Sequence, residues 1–201
     1  MGFDAIAKYY DGLAVLVFGK SLKKAQTYFL NRIPLASNVL VIGGGTGWWL
    51  KDFLRQNPNC KVFYVEQSEK MLALAKKATD NDSRISFVCG TEDSITMNEF
   101  DVIIVFFFLD IFSDATLNVL LEKLKMLSKS TALWLVADFV NSTRWHSLFL
   151  FAMYRFFRFT TRLENQKLPD WQNELIKRNL REVDHRLFFG NFIKTALYKV
   201  C

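Results

Sequence analysis

The sequence predicts an α/β domain, a mostly parallel sheet with helices on both faces and an antiparallel strand at its end. Three observations predict it. Five short apolar runs, Val39–Ile42, Lys61–Val65, Arg84–Cys89, Phe100–Asp110 and Thr131–Phe139, alternate with helical patterns. Such alternation needs crossover connections and hence parallel pairing. The fourth run holds Val102–Leu109 without a polar residue, which suits a central strand buried on both faces. The last run, His185–Val200, reads as two strands about Gly190-Asn191, a hairpin signal.

Residues 1–34 carry apolar positions at helical intervals and close at Pro34, which restricts the residue before it. Two helices are expected here, with breaks near Asp11-Gly12 and Phe18-Gly19. After the first strand, Gly43-Gly44-Gly45-Thr46-Gly47 permits a turn that side chains would obstruct. A helix over Trp48–Gln56 follows. The second strand closes on Glu66-Gln67-Ser68, and Ser68 is placed to cap a helix that presents Met71, Leu72 and Ala75 to the core. Ala115–Leu127 is helical, with Leu117, Leu120, Leu121 and Leu124 on one face. Ser128-Lys129-Ser130 is read as the turn into the fifth strand. Residues 141–180 are longer than a simple crossover, and residues 181–201 form the terminal hairpin.

Composition bounds the function. With 201 residues, 51% of them apolar, and 20 Phe and 5 Trp, the chain has ample material for one core. The longest apolar run, Val102–Leu109, is well short of the roughly 18–20 residues that cross a bilayer. Leu13–Phe18 is preceded by charged residues and followed by no small-residue cleavage site, which argues against a secretory signal. Ile at position 6 argues against myristoylation of Gly2. Cys60, Cys89 and Cys201 lack a paired spacing and are expected as reduced thiols in a cytoplasmic protein, two of them buried. A net charge of +6 suits an anionic surface but is too diffuse to imply nucleic acid.

The glycine loop narrows the chemistry. Backbone N–H groups at the start of the following helix would face a ligand. A dinucleotide fingerprint needs a third glycine where Trp48 stands. Gly43-x-Gly45-x-Gly47 instead resembles the glycine motif of the class I S-adenosylmethionine-dependent methyltransferases. Ala7, Tyr9-Tyr10-Asp11 and Gly19, with Phe3-Asp4, resemble the N-terminal segment of their quinone- and biotin-pathway branch. The resemblance covers nearly the whole chain and implies the Rossmann-like methyltransferase fold, a seven-stranded mostly parallel sheet with an antiparallel terminal strand.

It also implies a division of one domain into an N-terminal helical cap (1–34), a cofactor-binding core (35–140), an acceptor-side lid (141–180) and the hairpin (181–201). S-adenosylmethionine is then the cofactor, with S-adenosylhomocysteine as product. The cofactor site would comprise Gly43, Gly44, Gly45 and Gly47, Tyr10 from the cap, Glu66 and Gln67 at the ribose, Thr91 and Glu92 at the adenine, and Phe106 and Phe107 as aromatic wall for the sulfonium. Phe108 is expected in the core. The family pattern departs at three places: Gly90-Thr91-Glu92 stands for its Gly-Asp-Ala loop, with Asp93 one residue late; Pro-Gly-Gly is absent after the Ala115–Leu127 helix; and Val41 occupies the position of an acid.

Asp110, Asp138 and His146 are the candidates to take a proton from an acceptor, and His146 has the suitable ordinary pKa. No metal-ligand spacing is present. Trp145–Phe159 is aromatic almost all round if helical, with Arg155, Arg158 and Arg162 on one face. Two readings stand: a lid helix over the acceptor, or a helix lying at a membrane interface. The expected activity is methyl transfer to a small, hydrophobic acceptor. Nucleoside binding without catalysis and an NAD-linked oxidoreductase are the alternatives.

Overall fold

A computed structural model describes residues 7–161 and 167–201, with side chains throughout except at residue 8 and residues 157–161. Seven strands form one sheet: β1 (Asn38–Ile42), β2 (Lys61–Glu66), β3 (Ile85–Cys89), β4 (Phe100–Phe106), β5 (Ser128–Phe139), β6 (Leu180–Phe188) and β7 (Ile193–Val200). Their order is β3-β2-β1-β4-β5-β7-β6, with β1 to β5 parallel and β7 antiparallel to both of its neighbours. This is the expected plan, with the last strand of the chain inserted beside β5.

Alternate residues of the strands face two cores. Val41, Tyr64, Ile104 and Leu135 pack with helices α1 (Ala7–Phe18), α2 (Ser21–Thr27), α3 (Leu50–Gln56), α4 (Glu69–Ala78) and α6 (Arg144–Thr161). Leu40, Val65, Ile103 and Trp134 pack with α5 (Asp114–Leu127) and α7 (Trp171–Lys177). A sheet covered on both faces explains why β4 reads as unbroken apolar sequence.

Side-chain caps set several boundaries. Ser68 Oγ accepts from Met71 N at 3.2 Å, as its position before α4 predicts, and Ser113 Oγ does the same for Thr116 N at 3.2 Å. Other boundaries differ from expectation. The break at Asp11-Gly12 does not occur; α1 runs through it and ends at Gly19, where φ is +58°. Asp11 is held there by a tertiary contact described below, which sequence cannot show.

Ser128-Lys129-Ser130 is not a turn but the start of β5, with Ser128 paired to Phe100 ahead of a register shift. The sheet supplies hydrogen bonds that local propensity does not. The terminal hairpin begins at Leu180, because Glu182/Asp184 form a bulge that lets the longer strand stay paired. Its connection is four residues, 189–192, with positive φ at Phe189, Gly190 and Asn191. Of the three free thiols only Cys60 is buried; Cys89 and Cys201 are exposed, contrary to the expected two buried. Among the described residues no helix is long and apolar enough to cross a membrane.

Candidate active site

The strand order reverses between β1 and β4, and it is beyond the strands' carboxyl ends at such a switch point that open α/β sheets bind ligands. The glycine loop leaves β1 at this point. Gly43 has φ +62°, and a Cβ there would lie 2.2 Å from the Phe108 ring; Gly44 would meet the Tyr64 ring at 2.1 Å. Both are glycine because aromatic rings press on them. Gly45 differs: its φ is +66°, yet a Cβ would meet nothing within 4 Å. That face of the loop is open, and it is where a ligand can approach the backbone.

Glu66 locks the loop to the tip of β2. Its Oε2 accepts from Gly45 N at 2.9 Å and its Oε1 from Ser68 N at 2.7 Å. The carboxylate is buried, and the two N–H groups fix its orientation. Tyr64 adds a second tie, donating from its hydroxyl to Gly45 O at 3.1 Å. The tryptophans that follow the loop do not fill it. Trp48 Nε1 donates to Gln26 Oε1 of α2 at 2.6 Å, and Trp49 is buried against Phe106 with 5.0 Å between ring centroids.

From the other side α1 closes over the loop. Thr46 Oγ1 donates to Asp11 Oδ1 at 2.7 Å. Burial pushes the Asp11 carboxyl above its ordinary pKa, and the Thr46 hydroxyl opposes that rise. Tyr10, one residue earlier, is set among Asp110, Asp11, Glu66 and Asp138. Burial first, and then those carboxylates in that order, raise its phenol well above the usual value, so it stays protonated.

Asp138, at the end of β5, is completely buried. Its Oδ2 accepts from the backbone N–H groups of Phe108, Leu109 and Asp110 at 3.3, 2.9 and 3.3 Å, and its Oδ1 from Phe139 N at 2.8 Å. The chain leaving β4 is wrapped around this one carboxylate. Phe107 adopts φ +51° to make the turn, and Leu109–Ile111 follow as a single 3₁₀ turn. Tyr154 of α6 donates to Asp110 O at 3.2 Å, tying that helix to the same turn.

Asp110 and Asp138 form a coupled buried pair. Burial and then Asp138 raise the Asp110 carboxyl well above its ordinary value. Burial also raises Asp138, while its four N–H donors pull the other way. Both carboxyls are therefore held above the ordinary carboxylate range, Asp138 at about 7, and they titrate as a pair.

Several expected roles change accordingly. Asp138 is not a general base: it is sealed from any acceptor and its oxygens are engaged by backbone. Asp110 is buried beside it, where burial and the Asp138 charge favour its protonated form. His146 is also buried and its ring is pinned at both nitrogens. Ser142 N donates to Nδ1 at 3.1 Å, so Nε2 carries the hydrogen and donates to Gly190 O at 3.1 Å. It fastens α6 to the β6–β7 connection. Phe106 is core under Trp49 rather than cofactor wall.

Phe107 is half-buried beside Phe139, and Phe108, expected in the core, lies half-buried over Gly43 and against Phe112. Phe108 is the site residue that sequence reasoning missed; only the turn built on Asp138 brings it back over the loop. Thr91 and Glu92 lie beyond β3, where Thr91 Oγ1 caps the 3₁₀ turn by accepting from Asp93 N at 3.4 Å. Asp93 does not move to the adenine position, because it is ion-paired with Lys123 of α5. Gln67 is exposed beside Glu66. Phe3-Asp4 and Arg162 lie outside the described residues, as does the side chain of Arg158.

Residues 39–130 match the family model described as a methyltransferase domain. The solved S-adenosylmethionine-dependent methyltransferase from Aquifex aeolicus superposes with a TM-score of 0.70 at 15% identity, covering 98% of each chain. The fold is that of the class I methyltransferases. A second example of this methyltransferase fold is the Burkholderia thailandensis 1,6-didemethyltoxoflavin-N1-methyltransferase, solved with its acceptor and S-adenosylhomocysteine; the TM-score is 0.70 at 14% identity, over 98% of this chain and 86% of that one. Among curated proteins, malonyl-[acyl-carrier protein] O-methyltransferase of Priestia megaterium is 30% identical over 106 residues, 51% of this chain. The matched region spans 37% of that relative's length.

Proposed function

We propose that the protein is an S-adenosylmethionine-dependent methyltransferase acting on a small, hydrophobic acceptor. One observation carries the reading. In a chain of net charge +6, four carboxyl groups, Glu66, Asp11, Asp110 and Asp138, gather around Tyr10 at the β1/β4 switch. Such a cluster favours a cationic ligand, and S-adenosylmethionine carries a sulfonium and an ammonium. The residues fit the donor. The open face of Gly45 admits it to the backbone, Glu66 is held at the tip of β2 to read ribose hydroxyls, and Thr91 and Glu92 flank the adenine end.

When bound, the donor supplies an activated methyl group, and methyl transfer is an in-line displacement. The protein's part is then to hold both reactants in line and to exclude water. Asp11 and Thr46 close α1 over the loop. Tyr10 and Phe108 line the crevice, and α6, anchored through Tyr154 and His146, covers the acceptor side. Since Asp110, Asp138 and His146 are all buried, the acceptor would arrive already nucleophilic or give its proton to solvent. That same observation favours a second reading, a nucleoside-binding protein without catalysis.

Calorimetric titration with S-adenosylmethionine, S-adenosylhomocysteine and NAD separates the readings. Saturable binding of the first two and none of NAD supports the proposal; binding of NAD alone overturns it. Methyl release from labelled donor in the presence of hydrophobic hydroxyl and amine acceptors distinguishes enzyme from binder. We place the protein in the cytoplasm, a reading that the exposed free thiols Cys89 and Cys201 favour.

A further inference from the structure

We propose that the outer faces of α1 and α6 form a docking surface for an anionic lipid bilayer. Helix α1 buries Ala7, Ala14 and Phe18, and leaves Tyr9, Leu13, Val15, Leu16 and Val17 facing solvent. Leu16 is 81% exposed. Helix α6 turns His146, Leu150 and Tyr154 inward, and its outward positions include Leu148 at 71% and Phe151 at 66% exposure. Trp145 and Phe156 extend that stripe to either side. The helices meet where Phe18 packs edge-on against Phe149, 5.6 Å between ring centroids. A single exposed leucine needs no explanation, but two helices with this much outward apolar surface mark a contact surface.

Charge selects the occupant. The sole acid of α1, Asp11, is turned inward to Thr46, and α6 contains no Asp or Glu. Cations border the apolar residues instead: Arg144 and Arg155 on α6 and Lys20 just beyond α1 are all exposed. Among the described residues of these two helices, outward apolar side chains beside cations and without an outward acid match a bilayer interface, where acyl chains lie beneath negatively charged headgroups. Combined with the proposed methyl transfer, on which this step alone rests, the surface would present the crevice to an acceptor dissolved in the membrane.

The test is flotation of the full chain with vesicles of phosphatidylcholine alone and of phosphatidylcholine with phosphatidylglycerol, at low and high salt. The expected result is co-flotation with the anionic vesicles at low salt, reduced at high salt and weak with neutral vesicles. Leu16→Asp and Phe151→Asp change exposed positions, and each is expected to lower the partition coefficient at least about tenfold with an unchanged melting temperature. No flotation with anionic vesicles at low salt overturns the proposal, and so does flotation that neither variant alters. A dimer in sedimentation that the same variants abolish, without vesicle binding, assigns the surface to a second copy and also overturns it. Titration with S-adenosylhomocysteine on the same samples reports the donor site separately, so failure of one reading is not mistaken for failure of the other.

Discussion

Replacing Gly45 with alanine isolates the role of the glycine loop from its role in folding. The new methyl group would meet no protein atom within 4 Å, so its structural cost is that of holding alanine at φ +66°. Left-handed backbone costs a non-glycine residue about 1–2 kcal/mol, partly offset by the stiffer unfolded chain. For a domain of this size about 1 kcal/mol corresponds to a melting-temperature loss of roughly 2–4 °C. The same methyl would project into the space a donor's backbone contact needs, and overpacking there is worth about 1–3 kcal/mol, or about five- to 150-fold in affinity.

Gly44→Ala is the control, because its methyl would lie 2.1 Å from the buried Tyr64 ring and must displace it. That variant should lose stability and binding together. Thermal melts and calorimetry with S-adenosylhomocysteine measure both quantities. If Gly45→Ala stays folded and binds within twofold of the parent, the open face of Gly45 is not the donor's approach and the site has been misplaced.

Four other predictions concern the groups around the crevice. Asp110 has a folded-state pKa raised above its unfolded value, so it favours folding below about pH 4 and loses that contribution as pH rises through the raised value. Asp110→Asn should therefore gain stability relative to the parent at neutral pH, with the difference closing toward pH 4; urea titrations across pH measure it, and a constant difference refutes the raised carboxyl. Asp138→Ala would leave the Phe108, Leu109, Asp110 and Phe139 N–H groups without their acceptor and should cost about 3 kcal/mol or more, a collapse of the melting transition that Asp110→Asn does not show. His146→Gln is expected to lower the melting temperature while leaving methyl transfer within a few-fold in the folded fraction; loss of turnover with normal donor binding would return His146 to the catalytic list. Thr46→Val removes the hydroxyl that holds Asp11, at about 0.5–1.5 kcal/mol, and should speed amide exchange in α1 selectively.

What was legible in the sequence depended on short-range pattern. The unbroken apolar run of β4 implied a strand covered on both faces, and the glycines after Ile42 implied a tight loop at its ligand end. Ser68 implied the cap of α4. The site's interior was not legible in the same way. Asp138 looked like a carboxylate at a strand end, open to a ligand, because nothing adjacent in sequence reveals that the backbone of residues 108–110 folds around it. His146 looked like a base because its burial and its bond to Gly190 O, from a connection far along the chain, arise only in the packed fold. Phe106 and Phe108 exchanged expected roles for the same reason: a turn at Phe107 with φ +51° reverses which ring faces the loop.

By itself, then, the sequence determined the alternation of strands and helices, the parallel sheet and the place of the crevice, since hydrophobic period and glycine spacing act through neighbouring residues. Tertiary structure alone decided which polar groups remain available for chemistry. A buried carboxylate or imidazole is defined by the donors and acceptors that packing brings to it, and those come from segments as far apart as β4, β5 and the β6–β7 connection.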